Sequence, residues 1–236
     1  AIADYFREKT GKRPNVNTEN PDILINIYIS GNHCTVSLDS SGESLHKRGY
    51  RIHQGDAPLN EVLAAGMILL SGWKGETDFL DPMCGSGTLP IEAAMIAQNI
   101  PAGRFRKNFA FENWREFDQI LFDNVKSSFV KKDFKHQIFA SDISAGSSLN
   151  AQTNARRALG FNKIKFQKAD FRELDIELNR ATIIINPPYG ERLKEKDINE
   201  LYAMIGERLK HKFSDNSAWI LTSSVDGLKN IGLKPE

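Results

Sequence analysis

Residues 181–190 read Ala-Thr-Ile-Ile-Ile-Asn-Pro-Pro-Tyr-Gly, an apolar run that stops at an asparagine followed by two prolines. The β-branched run predicts a strand that is buried on both faces of a parallel sheet. Neither proline has an N–H to donate, so the strand must end at Asn186. The Asn186 side chain and the Pro187 carbonyl then lie at the carboxyl edge of the sheet, where open α/β sheets bind their ligands.

The turn that follows presents an amide oxygen, a backbone carbonyl and an aromatic ring in succession. Asn186 and Pro187 can accept the two protons of an amino group, while Pro188 keeps the turn stiff. Tyr189 can stack on the face of a flat ring. We therefore predict that these residues bind a flat ring that carries an NH2 group and that they form the catalytic site. The alternative is a proline-rich loop with no chemical role.

A second motif occupies residues 79–88, which read Phe-Leu-Asp-Pro-Met-Cys-Gly-Ser-Gly-Thr. We predict a short strand that enters a glycine loop, then a helix from about Leu89 to Gln98 with Pro90 in its first turn, where a missing N–H does no harm. The helix N-terminus supplies free N–H groups and a partial positive charge, which suit a carboxylate or a phosphate. A dinucleotide fingerprint would need glycine in place of Pro90, and a P-loop would need Gly-Lys-Ser/Thr, so neither fits.

The order Asp-x-x-Cys-Gly-x-Gly-Thr instead resembles the S-adenosylmethionine loop of Rossmann-like methyltransferases. The resemblance implies S-adenosylmethionine as the cofactor. Cys84 is also a candidate nucleophile, but methylation of an amine needs no covalent adduct, and we favour a small residue that fills a tight loop. The cofactor contacts implied in this loop are Asp81, Cys84, Gly85, Ser86, Gly87 and Thr88.

Two further acids follow predicted strands. The strand Ile138–Ser141 leads to Asp142, and an acid at this position can accept hydrogen bonds from both ribose hydroxyls of a nucleotide. The strand Lys163–Gln167 leads to Asp170 and Phe171, where a carboxylate can accept from the adenine amine and a ring can cover its face. Taken alone, each acid has a commoner role as a helix cap or in a solvated turn. The predicted cofactor contacts are completed by Asp142, Ile143, Asp170, Phe171 and Asn186.

The composition is that of a soluble globular protein. Of the 236 residues, 40% are hydrophobic and 26% are charged, and the length suffices for one α/β domain with an appendage. No apolar run approaches a membrane-spanning length and no signal peptide opens the chain, so we predict a cytoplasmic protein without membrane contact. The two cysteines and five histidines show no ligand spacing, so we predict no metal site.

The order of the predicted elements divides the chain into two domains. Residues 1–50 contain a helix, Ala1–Lys9, and a hairpin formed by Asp22–Ser30 and Cys34–Leu38. Residues 51–236 show the strand–helix alternation of a doubly wound α/β sheet with helices on both faces. We expect both ends of the chain to be cuts through a longer protein.

Three helices of the second domain carry end signals. The helix Ala57–Trp73 has Asp56 as its predicted N-cap. A helix over residues 144–159 stops at Gly160, and a helix over residues 198–213 opens with a capping box, Asp197-x-x-Glu200. A fifth strand is predicted at Ser217–Thr222. The apolar stripes of the first and third helices are Leu59, Val62, Leu63, Met67 and Leu70, and Ile198, Leu201, Ile205 and Leu209.

Basic residues cluster in two segments, the linker 39–51 and the aromatic-rich segment 99–137. Interleaved basic and aromatic residues can bind single-stranded nucleic acid through stacking and phosphate contacts. For the aromatic residues alone, a local core under a helical insertion is the better explanation. The predicted RNA contacts are Lys47, Arg48, Arg51, Arg104, Arg106 and Lys107.

Five segments in order resemble those of one family. They are Ser-Leu-His-Lys-Arg-Gly-Tyr-Arg at 44–51, Ala-Pro-Leu-Asn-Glu-Val-Leu-Ala-Ala at 57–65, and residues 81–88, 101–114 and 186–193. Together they closely resemble the bacterial THUMP-domain methyltransferases, the family of the large-subunit ribosomal RNA guanine-N2 methyltransferases, whose members are often labelled N6-adenine-specific DNA methylases. The resemblance implies that the first domain is the last part of a THUMP RNA-binding domain. It also implies a Rossmann-like methyltransferase domain without its closing strands.

The resemblance implies S-adenosylmethionine-dependent methylation of the N2 amine of a guanine in 23S ribosomal RNA. Asn186 and Pro187 would accept the amine protons while Tyr189 stacks on the base. Three alternatives remain open. An adenine-N6 methyltransferase of DNA or RNA and a glutamine-amide protein methyltransferase share the Asn-Pro-Pro-Tyr motif. The non-enzymatic alternative is an RNA-binding module with an inactive site.

Overall fold

The computed structural model describes residues 2–19, 21–53, 58–160, 164–178, 180–188 and 195–234. The chain forms two compact units. The first comprises Ala1–Leu45 and Arg106–Lys126, and the second comprises His46–Phe105 and Ser127–Glu236. By its contacts the segment 106–126 therefore belongs to the first unit, although in sequence it interrupts the second.

The first unit contains a helix and a hairpin. Helix α1 spans Ile2–Thr10, and the strands β1 (Ile25–Ser30) and β2 (His33–Leu38) pair antiparallel. The turn between the strands places Gly31 at a φ of 56°, a left-handed conformation that glycine adopts without steric cost. The predicted helix and hairpin are confirmed.

The inserted segment of the first unit folds around phenylalanines. It contains a 3₁₀ turn, Ala110–Asn113, and helix α4, Gln119–Ser127. The rings of Phe109 and Phe111 stack with centroids 5.2 Å apart, and Phe122 meets both rings edge-on. These three rings pack on one another, as the local-core explanation predicts, and each remains partly exposed.

The second unit is built on a sheet of five parallel strands. In chain order the strands are β3 (Phe79–Asp81), β4 (Ile138–Asp142), β5 (Lys165–Lys168), β6 (Thr182–Ile185) and β7 (Ser217–Ile220). Their order across the sheet is β5-β4-β3-β6-β7, and each neighbouring pair is parallel. The chain runs outward from β3 in one direction and from β6 in the other. The carboxyl ends of β3 and β6 thus flank the switch point where doubly wound sheets bind ligands.

Among its described residues, the second unit is completed by the helices α2 (Glu61–Leu70), α3 (Thr88–Ala97), α5 (Ala145–Leu159), α6 (Glu195–His211) and α7 (Val225–Lys229). They cover two apolar faces because alternate strand residues point to opposite sides of the sheet. Phe79 and Ile184 pack in one buried cluster with α2, α3 and α5. Leu80, Ile183 and Ile185 pack in another with α6. The predicted Rossmann-like α/β class is confirmed.

Helix α2 differs from the predicted helix Ala57–Trp73 in its bounds and its buried face. It begins at Glu61 rather than residue 57, and Asn60 is its N-cap, whose side chain accepts from the backbone N–H groups of Val62 and Leu63. Asp56, the predicted cap, lies outside the described residues. The predicted apolar stripe is confirmed at Leu59 and Met67, which pack against the core. It is wrong at Val62, Leu63 and Leu70, which are exposed, while Glu61, Ala64 and Ile68 are buried. The small Ala64 lets α3 approach closely, and Glu61 is buried because it pairs with an arginine.

Helix α6 also differs in its bounds from the predicted helix over residues 198–213. It begins at Glu195, so Asp197 and Glu200 lie inside its first turns and do not form the predicted capping box. Its predicted apolar stripe is confirmed at Ile205 and Leu209, which are buried against the sheet. The helix over 144–159 is confirmed as well: α5 has Ser144 as its N-cap and ends at Gly160.

Candidate functional site

A cavity of about 760 Å³ opens at the carboxyl ends of β3, β4 and β6. This is the edge of the sheet at which the two sequence motifs were expected to meet, and residues of both line it. Tyr189 lies outside the described residues. The predicted residues that line the cavity are Asp81, Cys84, Gly85, Ser86, Thr88, Asp142, Ile143, Asp170, Phe171, Asn186, Pro187 and Pro188.

The loop between β3 and α3 forms a tight turn. The Gly87 N–H donates to the Cys84 carbonyl at 2.8 Å, and the Cys84 N–H donates to the Ser141 carbonyl on β4 at 2.9 Å. Gly85 and Gly87 both have positive φ, 52° and 85°. The loop therefore brings its backbone to the cavity wall and leads directly into the N-terminus of α3, where free N–H groups favour an anionic group.

Asp142 holds this loop from the neighbouring strand. Its Oδ2 accepts from the Gly85 N–H at 2.9 Å, and its Oδ1 accepts from the Ser144 N–H at 2.8 Å. A carboxylate has about four lone-pair sites, so each oxygen can accept a further bond from a ligand. Asp142 is thus placed to bind ligand hydroxyls and to hold Gly85 at the same time.

Asp81 ends β3 and is fully buried at the cavity wall. Its Oδ1 accepts from the Met83 N–H at 3.1 Å. Burial raises the pKa of this carboxyl to about 8, against the lowering effect of the Met83 hydrogen bond, and the nearby Asp142 raises it further. A cationic group bound in the cavity would lower this pKa again, because it favours the ionised carboxylate.

Cys84 is buried in the turn, and burial raises the pKa of its thiol well above the ordinary value, helped by the negative charges of Asp81 and Asp142. A thiol held protonated in this way is a poor nucleophile. The geometry favours the role of a small residue in a tight loop.

Asp170 and Phe171, which follow β5, both line the cavity but differ in their other contacts. Both Asp170 carboxylate oxygens accept from Arg172, at 2.9 Å from its N–H and 3.1 Å from its guanidinium. Phe171 is only 2% exposed, and its ring stacks on Phe213 with centroids 5.7 Å apart. One face of the Phe171 ring is therefore occupied by the core, although the residue also lines the cavity.

Asn186 carries a buried side-chain oxygen at this wall that lacks a described hydrogen-bond partner. Its Oδ1 is buried and accepts no hydrogen bond from any described residue. Buried side-chain oxygens without a partner are rare, because each one loses its hydration without compensation. Pro187 is buried and Pro188 is exposed, and both line the cavity. An acceptor at the end of β6 is therefore available for a donor that enters the cavity.

Known families match both parts of the chain. Residues 48–231 match the model of the RMKL-like methyltransferase domain, and residues 1–39 match that of the THUMP domain. The chain belongs to the RMKL-like methyltransferase family.

Relatives of this RMKL-like chain are named for methyl transfer. A Synechocystis protein provisionally named an RNA methyltransferase is 37% identical over 238 residues, which cover 99% of this chain and 62% of that protein. The crystal structure of SMU.472, provisionally described as a methyltransferase complexed with SAH, has a TM-score of 0.85 at 33% identity. The match covers 99% of this chain and 62% of the SMU.472 chain. A Listeria monocytogenes structure, described as a predicted N6-adenine-specific DNA methylase, has a TM-score of 0.80 at 35% identity, covering 90% and 56%.

Two of the predicted RNA contacts in the RMKL-like chain, Arg48 and Arg51, have buried side chains. Arg48 pairs with Glu92 at 3.3 Å and leaves only 10% of its side chain exposed. Arg51 pairs with Glu61 at 2.9 Å and leaves 8% exposed. A buried guanidinium requires a carboxylate partner, so these two linker charges serve the interior of the fold.

Arg106 also has a structural role. Its guanidinium donates to the carbonyls of Ser41 at 2.8 Å and Glu43 at 2.6 Å and lies 4.9 Å from the centroid of the Phe109 ring. These bonds fix the inserted segment within the first unit, and the RNA contact of Arg106 stays a prediction. The other predicted RNA contacts are exposed and remain predictions: Lys47, Arg104 and Lys107.

One wall of the cavity was not predicted. Four residues of α6 line it with the spacing i, i+3, i+4 and i+7, which places them on one helix face. They are Asp197, Glu200, Leu201 and Met204. That spacing was visible in the sequence, but the mistaken helix start concealed its first two members.

Among the described residues, no group of three or more histidine, cysteine or acidic side chains is arranged to hold a metal ion. Among the same residues, no helix combines the length and the apolar character that crossing a membrane requires.

We expect alanine at Gly87 to destabilise the RMKL-like fold more than alanine at Gly85. A Cβ on Gly87 would lie 2.9 Å from the Ala151 Cβ, whereas a Cβ on Gly85 meets nothing within 4 Å. Left-handed backbone costs either alanine about 1–2 kcal/mol, and overpacking adds about 1–3 kcal/mol at Gly87 alone. Denaturant unfolding of both variants measures the difference. Equal losses of unfolding free energy would contradict the packing of Gly87 against α5.

Proposed function

We propose that this chain is part of an S-adenosylmethionine-dependent RNA methyltransferase that modifies the exocyclic N2 amine of a guanine in 23S ribosomal RNA. The observation that supports it most is the buried Oδ1 of Asn186, which no described residue binds, at the wall of a cavity that also contains the glycine loop. An acceptor in that position suits an amine donor. The family, and the methyltransferase names of its relatives, fit the same chemistry.

The residues present suit the proposed cofactor. When bound, S-adenosylmethionine supplies an electrophilic methyl group on its sulfonium. The turn from Cys84 to Thr88 leads the backbone along the cavity wall, and Gly87 leaves no room for a side chain. The start of α3 offers donors for a carboxylate, and Asp81 offers a buried carboxylate for an ammonium group. We propose Asp142 as the acceptor for the ribose hydroxyls and the Asp170–Phe171 pair as the adenine site.

Residues at the end of β6 would bind the target amine. Asn186 Oδ1 and the Pro187 carbonyl would each accept one hydrogen bond from the target NH2 group. These two bonds would turn the nitrogen lone pair out of conjugation with the ring. The nitrogen becomes acidic only after it has gained the methyl group, so no strong base is needed beforehand. The main contribution of these residues is alignment, which can lower the barrier by roughly 7–11 kcal/mol at best. Tyr189 is proposed to stack on the base.

RNA is the proposed substrate because residues 1–39 match the THUMP model and because the Synechocystis relative is named for RNA methylation. We propose that residues 1–50 are part of a THUMP module that engages structured RNA. Exposed Lys47, Arg104 and Lys107 supply positive charge for phosphates. A target base inside a helix must leave its stack to reach the cavity, as base-modifying enzymes require.

Adenine-N6 methylation of DNA is the second candidate. The Listeria structure is described as a DNA methylase, and Asn186 and Pro187 would accept the amine of adenine as readily as that of guanine. The THUMP match favours RNA over DNA. The glutamine-amide alternative shares the Asn-Pro-Pro-Tyr motif, but the THUMP match favours RNA over protein as the substrate.

Mass spectrometry of nucleosides distinguishes the two candidates. In a strain that lacks the full-length gene, 23S ribosomal RNA should lose one N2-methylguanosine, and a plasmid copy should restore it. Unchanged ribosomal RNA together with a loss of N6-methyladenine from DNA would overturn the proposal in favour of the second candidate.

A further inference from the structure

Two buried side chains lie behind the glycine loop and contact residues that line the cavity, although neither lines it. They are Arg51, from the linker, and Asn154, from α5. Both bind Ser86, one through its hydroxyl and the other through its carbonyl. Neither residue has a role in the proposed chemistry, and Arg51 is one of the two predicted RNA contacts whose side chains are buried.

The described hydrogen bonds of the Arg51 guanidinium go to the glycine loop and to the residues around the start of α2. Its Nη1 donates to the Ser86 hydroxyl at 2.8 Å, and its Nη2 donates to the Thr88 hydroxyl at 3.0 Å and to the Leu59 carbonyl at 3.0 Å. Its Nε donates to Glu61 at 3.0 Å, which balances the buried charge. The planar fork of arginine thus spans two hydroxyls and a carboxylate at once, which a lysine ammonium cannot reproduce.

Asn154 is fully buried and holds the linker and the loop together. Its Nδ2 donates to the carbonyls of Ser86 at 3.1 Å and His53 at 3.0 Å. Its Oδ1 accepts from the N–H groups of Ile52 at 2.8 Å and His53 at 3.3 Å. The two residues that follow Arg51 and the turn of the glycine loop are therefore tied to one helix, α5.

The direction of the Arg51 bonds has a chemical consequence. A guanidinium only donates, so the oxygens of Ser86 and Thr88 must act as acceptors toward it. Each hydroxyl keeps its own proton, and both residues line the cavity. The two O–H groups are thus left to donate to a ligand, and the ligand group that suits them is an acceptor such as a carboxylate.

We infer that Arg51 is a positioning residue, which orients the Ser86 and Thr88 hydroxyls as donors for the carboxylate of the amino-acid end of the cofactor, and that Asn154 fixes the loop for this purpose. The inference rests on the proposed function, because it names the part of S-adenosylmethionine that this wall holds. Arg51 does not touch the ligand itself and acts through the two hydroxyls.

Calorimetry on the full-length protein with two ligands tests this role. S-adenosylhomocysteine carries the carboxylate, whereas 5′-methylthioadenosine has the same nucleoside without the amino-acid end. Arg51→Lys should raise the Kd for S-adenosylhomocysteine by roughly tenfold or more, the loss expected for charge-assisted bonds, and should change the Kd for methylthioadenosine less than about twofold. The matched control is Arg48→Lys, which also replaces a buried arginine paired with a carboxylate, in this case Glu92 on α3.

The Arg48 variant should bind both ligands as the parent does, even where its melting temperature falls as much. Equal weakening of both ligands by Arg51→Lys, or no weakening of either, would overturn the inference. A parent protein that binds neither ligand would instead overturn the proposed function, and the inference with it.

If Arg51→Lys does not fold, Thr88→Val supplies the test, since valine keeps the shape and removes only the hydroxyl. It should weaken S-adenosylhomocysteine and spare methylthioadenosine, and weakening of both ligands alike would overturn the inference.

Discussion

Replacing Asn186 with alanine should lower kcat by about 10²–10³-fold, the usual cost of one aligned acceptor or donor at a preorganised site. Its Oδ1 is buried in the cavity wall without a described partner, so its capacity to accept is kept for a ligand. Cofactor affinity should change little, because the proposed cofactor contacts lie mainly on β3, β4 and their loops. Single-turnover kinetics with calorimetry on the full-length protein separates the two effects.

Asn186→Asp is the sharper variant. It keeps an acceptor oxygen and the side-chain shape, so it should retain more activity than Asn186→Ala. If both variants are equally inactive while they fold and bind the cofactor normally, Asn186 does not act as an acceptor. It would then serve as a donor or as a structural cap of β6.

Replacing Asp142 with alanine should weaken S-adenosylmethionine binding by roughly 10²-fold or more, since each charge-assisted hydrogen bond contributes about 1.5–3 kcal/mol. The change would remove the proposed ribose acceptor. It would also release the Gly85 N–H, which Asp142 Oδ2 holds at 2.9 Å. The loss should therefore exceed that of a ligand contact alone.

Asp142→Asn is the matched control for that substitution. Its amide oxygen can still accept from one backbone N–H, so the loop should stay in place while one acceptor for the ribose is lost. Calorimetry should give it an affinity between those of the parent and Asp142→Ala. Undiminished affinity in the alanine variant would remove Asp142 from the site.

The strands and the meeting of the two motifs were predictable from local sequence. The run Ala181–Ile185 is apolar at each position except Thr182, which is typical of a strand with both faces covered, and it forms β6 at the predicted place. The prolines at 187 and 188 fix where this strand stops. Parallel pairing of β3 with β6 then brings the glycine loop and Asn186 to one edge of the sheet.

Helix starts were less predictable because several residues could serve as caps. Asp56 and Asn60 are both good N-caps, and Asn60 forms the cap of α2. The pattern Asp197-x-x-Glu200 satisfies the spacing of a capping box, yet α6 begins earlier, at Glu195. The choice between neighbouring caps depends on which start lets the helix pack, and packing is a tertiary property.

The buried arginines could not be predicted from the linker sequence. A basic stretch beside a proposed RNA-binding module looks the same whether its charges face solvent or a carboxylate. The partners of Arg48 and Arg51 are Glu92 and Glu61, which lie on separate helices. In the predicted helix pattern Glu61 fell on the polar face, so nothing in the periodicity marked it as buried.

Methyl transfer to guanine N2 is tested most directly with the purified full-length protein, isotopically labelled S-adenosylmethionine and protein-free 23S ribosomal RNA from a strain that lacks the gene. Nuclease digestion and mass spectrometry should find the label in N2-methylguanosine at a single site, with the Asn186→Ala protein as the inactive control. Label in N6-methyladenine, or faster transfer to DNA or to a glutamine-containing protein under the same conditions, would contradict the proposed function.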